Sequence, residues 1–173
     1  MSKSSPNPVL DEIDRRILEA LQINGGLSNL ELAERVGLSP SACSRRVQAL
    51  EDQHVVTGRV TLVDRSKVGL SLTAIIQVAM DRHTPERFAS FEKKVRACPE
   101  VQACYLVAGQ DADYLLKVVL PDMDHYQEFL LNKITRIEGV SGVRSSFVMR
   151  RVIDTTVLPL GHLFGVSKEA DPR

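Results

Sequence analysis

The stretch Ser28-Asn29-Leu30-Glu31-Leu32-Ala33-Glu34-Arg35-Val36-Gly37-Leu38-Ser39-Pro40 decides how the first third of the chain is read. Ser28 and Glu31 stand at the S-x-x-E spacing at which two side chains satisfy each other's backbone N–H groups, which starts a helix. Leu32, Ala33 and Val36 share one face of it. Gly37 supplies the left-handed residue that ends such a helix, and Leu38 the apolar closure. Ser39 then caps a new helix, with Pro40 at the first position, where its missing N–H costs no bond.

Upstream, Leu10, Ile13, Ile17 and Leu21 recur at helical spacing to about Gln22, with Asp11 and Glu12 favouring the positive end of the helix dipole. Asn24-Gly25-Gly26 breaks the chain before the second helix. Downstream, residues 55–63 are β-branched and interrupted by Gly58-Arg59, which predicts an extended hairpin or wing. A winged helix-turn-helix over residues 9–63 is expected, after a polar tail over residues 1–8.

Turning Cys43, Val47 and Leu50 inward at 100° per residue leaves Ser41, Arg45 and Gln48 on the opposite face of the third helix, with Ser44 and Arg46 on its flanks. Arginine donates two hydrogen bonds to guanine and glutamine pairs with adenine, while serine and backbone N–H groups suit phosphate oxygens. The candidate DNA contacts are Ser39, Ser41, Ala42, Ser44, Arg45, Arg46, Gln48 and, from the wing, Arg59. Composition alone fits a solvated helix face equally well. The tight turn before the helix favours the groove reading.

Charge limits any DNA contact to a local patch. The chain carries 22 Lys/Arg against 22 Asp/Glu, and residues 1–62 hold seven against eight, which counts mildly against a DNA-binding half. Cys43, Cys98 and Cys104 are odd in number, lack a C-x-x-C pair and lie within hydrophobic segments, so a reducing compartment and small core residues are expected. His54, His83, His125 and His162 lack ligand spacing, and neither a metal nor another cofactor is expected. The N-terminus has no apolar signal core and no run is long enough to span a membrane, which points to the cytoplasm.

Residues 64–71 read as a linker. Leu72, Ala74, Ile76, Val78 and Met80 then alternate as a strand, and Thr84-Pro85 caps a helix with Phe88, Phe91 and Val95 on one face. Residues 101–107 and 114–120 read as a hairpin around Gly109-Gln110-Asp111-Ala112. A second helical stripe (Met123, Tyr126, Phe129, Leu130, Ile134, Ile137) ends at Gly139, and Val143, Ser145, Phe147 and Met149 alternate again. The order βαββαβ predicts an α+β chain whose second domain, residues 72–160, is a ferredoxin-like sandwich, with residues 161–173 as a tail. Two helices would cover one face of its sheet. Apolar residues on the other face then call for a partner, most simply in a homodimer.

Taken together, Ile13-Asp14, residues 30–40, Cys43, Arg46-Val47 and Leu50-Glu51, with Leu106-Val107-Ala108-Gly109, Asp113-Tyr114-Leu115-Leu116-Lys117, Pro121-Asp122-Met123 and Ser145-Ser146-Phe147, resemble the Lrp/AsnC transcription regulators over roughly residues 9–160. The resemblance implies a RAM/ACT-like C-terminal domain, dimers that assemble further, commonly to octamers, and an amino-acid effector bound between dimers near the glycine turn. By position it places Leu106, Val107, Gly109 and Asp113 in the effector pocket, with Met123 and Ser145, Ser146 and Phe147 facing it from nearby. An amino acid needs N–H donors for its carboxylate, an acceptor for its ammonium and an apolar wall. The turn is one residue longer than in the best-known members, so either Asp111 or Asp113 faces the ligand.

The function expected is a sequence-specific transcription regulator, not an enzyme, that binds double-stranded DNA and answers to an amino acid. An architectural DNA-binding protein without an effector is the alternative. A catalytic use of Asp111, Asp113 and His125 would leave the helix-turn-helix unexplained, and fold alone does not supply an activity.

Overall fold

The computed structural model describes residues 9–109 and 112–164. The chain forms two compact units. One takes the described residues up to Leu62 together with those from Ile153 on, and the other is Val63–Val152. Residues 153–160, expected with the sheet, thus lie with the helices of the first unit.

In the first unit α1 (Glu12–Ile23), α2 (Asn29–Val36) and α3 (Pro40–Asp52) follow one another across two short breaks. The caps are those expected from the Ser28–Glu31 pair and from Ser39, and Gly37 takes the left-handed conformation at φ 73°. A second reciprocal cap, Asp11 with Asp14, opens α1. Ile17, Leu18, Leu32, Ala33, Val36, Cys43 and Leu50 form the core, with Leu160 of the C-terminal segment packed against it.

The hairpin expected over residues 55–63 does not form among the described residues. Val55 and Val56 pack against the helical core, and both donate their N–H to the Leu50 carbonyl. Residues 57–64 run on without a ladder, and Val60 and Leu62 are exposed. β-branched composition makes an extended chain, but a ladder needs a partner strand, and the described residues supply none.

The second unit begins with a 3-10 turn (Arg65–Val68) and continues β1 (Leu72–Met80), α4 (Pro85–Arg96), β2 (Val101–Leu106), β3 (Tyr114–Leu120), α5 (Met123–Phe129) and β4 (Val140–Phe147). This is the βαββαβ order expected. The sheet runs β2-β3-β1-β4 with every neighbouring pair antiparallel. Alternate residues of β1 and β3, including Ile76, Val78, Tyr114 and Leu116, are buried against Phe91 and Val95 of α4 and Tyr126 and Phe129 of α5. The opposite face carries Ile75, Gln77, Leu115 and Lys117 and, among the described residues, no helix. Cys43 is a fully buried core residue and burial pushes its thiol pKa up. Cys98 is half-buried. Cys104 departs from the core role expected, because it lies exposed on β2, the edge strand of the sheet among the described residues.

Candidate DNA-reading and effector sites

The N-terminal half of α3 presents a short row of polar groups. Ser39 Oγ accepts the Ala42 N–H at 3.3 Å and stands 3.3 Å from Ser41 Oγ, while Asn29 of α2 donates to the Pro40 carbonyl at 2.8 Å. The turn between the helices is therefore fixed by bonds from both sides. Ser41, Ser44, Arg45 and Gln48 are exposed. Gln48 reaches along the helix to Asp52 at 2.9 Å, and Arg59 reaches back to Glu51 at 2.9 Å. The Arg45 side chain has no hydrogen-bond or ion-pair partner among the described residues.

Arg46 is placed differently. Its Nη1 lies 2.7 Å from Asp11 Oδ2 and 2.8 Å from Asp14 Oδ1, so it joins α3 to the capping box of α1. Donating to Asp14 and then to Asp11 raises its pKa. This guanidinium braces the frame and is turned away from the row that Arg45 occupies.

In the second unit Asp113 ties three segments together. Its N–H donates to the Val78 carbonyl and its own carbonyl accepts from Val107, each at 2.9 Å. One carboxylate oxygen accepts the Met80 N–H at 2.7 Å and the other lies 2.7 Å from His83 Nε2. No spacing signal linked His83 to Asp113 across thirty residues of sequence. Next to it, the Tyr114 hydroxyl donates to Glu92 at 2.9 Å, and burial first, then that bond, push the phenol's pKa up. Gly109 has no left-handed φ, and a Cβ built on it would meet nothing within 4 Å. Nothing described inside the chain requires glycine there. Asp111 lies outside the described residues.

The expected effector residues fall into two groups. Leu106, Val107, Gly109 and Asp113 lie at the β2–β3 end of the sheet, where Tyr114 pairs with Val78. Phe147 pairs with Ala74, four residues back along β1 and therefore ~13 Å away. There the Phe147 ring packs edge-on to Tyr126 at 4.9 Å, the Tyr126 hydroxyl donates to Ser145, and α5 starts at Met123. Ser146 points to the open face of the sheet, opposite Ile75. The expectation that Met123 and the Ser145-Ser146-Phe147 strand face the glycine turn from nearby is thus not met within one chain, because antiparallel pairing puts them at the other end of β1. A separate cleft of about 410 Å³ between α4 and β2 takes in Leu106, beside Glu92, Arg96, Cys104 and Tyr114. Among the described residues no three His, Cys, Asp or Glu side chains converge as a metal site, and no helix is long and apolar enough to cross a membrane.

A helix-turn-helix with its polar row outward, followed by a βαββαβ unit with one bare sheet face, defines a DNA-binding transcription regulator with a separate ligand-binding domain. Residues 10–57 match the family model for winged helix-turn-helix DNA-binding, and residues 73–158 that for the Lrp/AsnC ligand binding domain. The chain belongs to the Lrp/AsnC family. It is 41% identical over 151 residues to the leucine-responsive regulatory protein of Escherichia coli K12, covering 87% of this chain and 92% of that one. A transcriptional regulator of Neisseria meningitidis, solved as an L-Met complex, is 42% identical with a TM-score of 0.85, over 89% of this chain and 99% of that one. An AsnC family regulator of Agrobacterium tumefaciens is 38% identical with a TM-score of 0.84, over 88% and 99%.

Proposed function

We propose that this regulator reads DNA with the exposed row of α3 and that an amino acid bound by its second unit alters DNA binding or assembly. Arg45 makes the main base contact, Ser41, Ser44 and Gln48 flank it, and the Ser39 hydroxyl, whose oxygen already caps the Ala42 N–H, donates to phosphate. Arg59 adds a backbone contact once released from Glu51. The observation that carries the effector reading is the split of the candidate pocket. Leu106, Val107, Gly109 and Asp113 stand ~13 Å from the Phe147 end of the same sheet, so a pocket using both groups draws the second from another copy. The open space at Gly109 supports the same idea, since a glycine without an internal reason leaves room for a ligand or a neighbouring chain. The Neisseria neighbour bound to L-Met supports an amino acid as the ligand class. The active form is then a homodimer or a larger assembly, up to an octamer, working on DNA in the cytoplasm.

The test is thermal unfolding of the purified protein with each of the twenty amino acids at millimolar concentration, followed by DNA binding with any that act. A ligand that prefers the native state raises its stability, and one that regulates must also change DNA affinity or oligomer size. A selective stabilisation with a matching change in DNA binding is expected. A flat panel sinks the amino-acid effector and leaves a DNA-binding protein of architectural type.

A further inference from the structure

On the helix layer of the second unit, away from both groups of effector residues, a groove of about 460 Å³ runs between α4 and the segment after α5. Ser90 and Lys94, one helical turn apart on α4, form one wall. Asn132, Lys133 and Arg136 form the other. The second wall is built by an irregularity: α5 does not continue as an α-helix but passes into a π-turn over Leu130–Ile134, closed by the Thr135 N–H on the Leu130 carbonyl at 3.0 Å. Such turns are rare and are found often at functional sites.

Positive charge in the groove is only partly compensated. Its one acid, Glu138, is already paired with Arg87 at 2.6 Å. Lys133 is paired with Glu100. The side chains of Lys94 and Arg136 have no hydrogen-bond or ion-pair partner among the described residues. Three cations and two neutral donors, a hydroxyl and an amide, therefore face one concave space of small-molecule size.

We propose that this groove binds a small phosphate-bearing anion. Arginine and lysine around a hydroxyl and an amide form the donor set that suits several phosphate oxygens at once. A concave site favours a small anion, because the backbone of duplex DNA is a long convex charge that a raised basic stripe meets better.

Calorimetric titration of the full-length protein with inorganic tripolyphosphate at constant ionic strength tests this. Saturable binding at one site per chain is expected, weakened at least tenfold by Lys94→Gln with Arg136→Gln and unchanged by Arg45→Gln. Both Gln substitutions are at exposed positions, and an unchanged circular dichroism spectrum checks the fold. If the double variant does not fold, Arg136→Gln alone must still weaken binding severalfold. Absence of saturation, equal affinity in the double variant, or loss of binding in Arg45→Gln overturns the proposal. So does a double variant that loses DNA affinity with a shallower salt dependence while tripolyphosphate fails to saturate the native protein, which makes the groove a DNA-backbone contact.

Discussion

Gln22 and Leu158 are bonded in both directions: the Leu158 N–H donates to Gln22 Oε1 at 2.6 Å, and Gln22 Nε2 donates to the Leu158 carbonyl at 3.2 Å. The side-chain amide of α1 thus acts as a short strand for the C-terminal segment, and Leu160 two residues on packs against the same helical core. The helix-turn-helix is closed by residues that follow the second unit in the chain. Gln22→Ala is expected to cost about 1 kcal/mol, as for two hydrogen bonds at an exposed site. Amide hydrogen exchange at Leu158 measures it, and unchanged protection there means that the segment is held by Leu160 alone.

Two neighbouring arginines should part company on mutation. Arg46→Met removes the brace to Asp11 and Asp14 and is expected to lower stability by about 1 kcal/mol, since the pair is only partly screened by solvent. Arg45→Ala is expected to leave stability within about 0.5 kcal/mol and to cost about 1–3 kcal/mol of binding to a cognate site. Urea unfolding and titration on cognate and random duplexes separate the two. Equal loss on both duplexes assigns Arg45 to phosphate, not to a base.

The start of α5 should titrate. His125 Nδ1 lies 2.7 Å from Asp122 Oδ1, and that hydrogen bond raises the imidazole pKa above its ordinary 6.5. Asp122 is lowered in turn, first by the His125 backbone N–H and then by the imidazole. Because the folded pKa of His125 is the higher one, its stabilising contribution is complete below about pH 6.5 and is lost as pH rises through the folded value. A proton NMR titration should place His125 above 6.5 in the native protein and bring it back toward 6.5 in Asp122→Asn. A titration that Asp122→Asn leaves unmoved removes the pair as the cause.

What could be read in the sequence was local. Ser28 with Glu31, Gly37, and Ser39 with Pro40 act over three residues or fewer, so spacing alone placed α2 and α3. Alternation placed β1, because its odd and even residues meet different surroundings. The failures have one physical source, partners distant in sequence. Arg46 looked like a flank of the reading helix because Asp11 and Asp14 lie more than thirty residues upstream. His83 looked isolated because Asp113 is brought to it by the β1–β3 register. Residues 55–63 have strand composition, but composition carries no information about whether a partner strand is present. Within one chain Phe147 and the glycine turn lie toward opposite ends of β1, a separation set by strand register that local spacing does not show.

Asp113 is where structural and ligand-binding roles have to be separated. Asp113→Ala removes the acceptor for the partly buried Met80 N–H and the partner of His83 together, so it is expected to lower stability by about 1–3 kcal/mol and would blur any loss of effector response. Asp113→Asn is the informative change. Its carbonyl oxygen can still accept from Met80, while the negative charge that would hold an effector ammonium is gone. The expected result is an unfolding midpoint close to that of the native protein, unaltered DNA binding without ligand, and loss of the stabilisation given by the active amino acid. If Asp113→Asn keeps the full ligand response, the carboxylate serves only to join β1 to the turn, and the ammonium must find its acceptor in Asp111 or in a second copy of the chain.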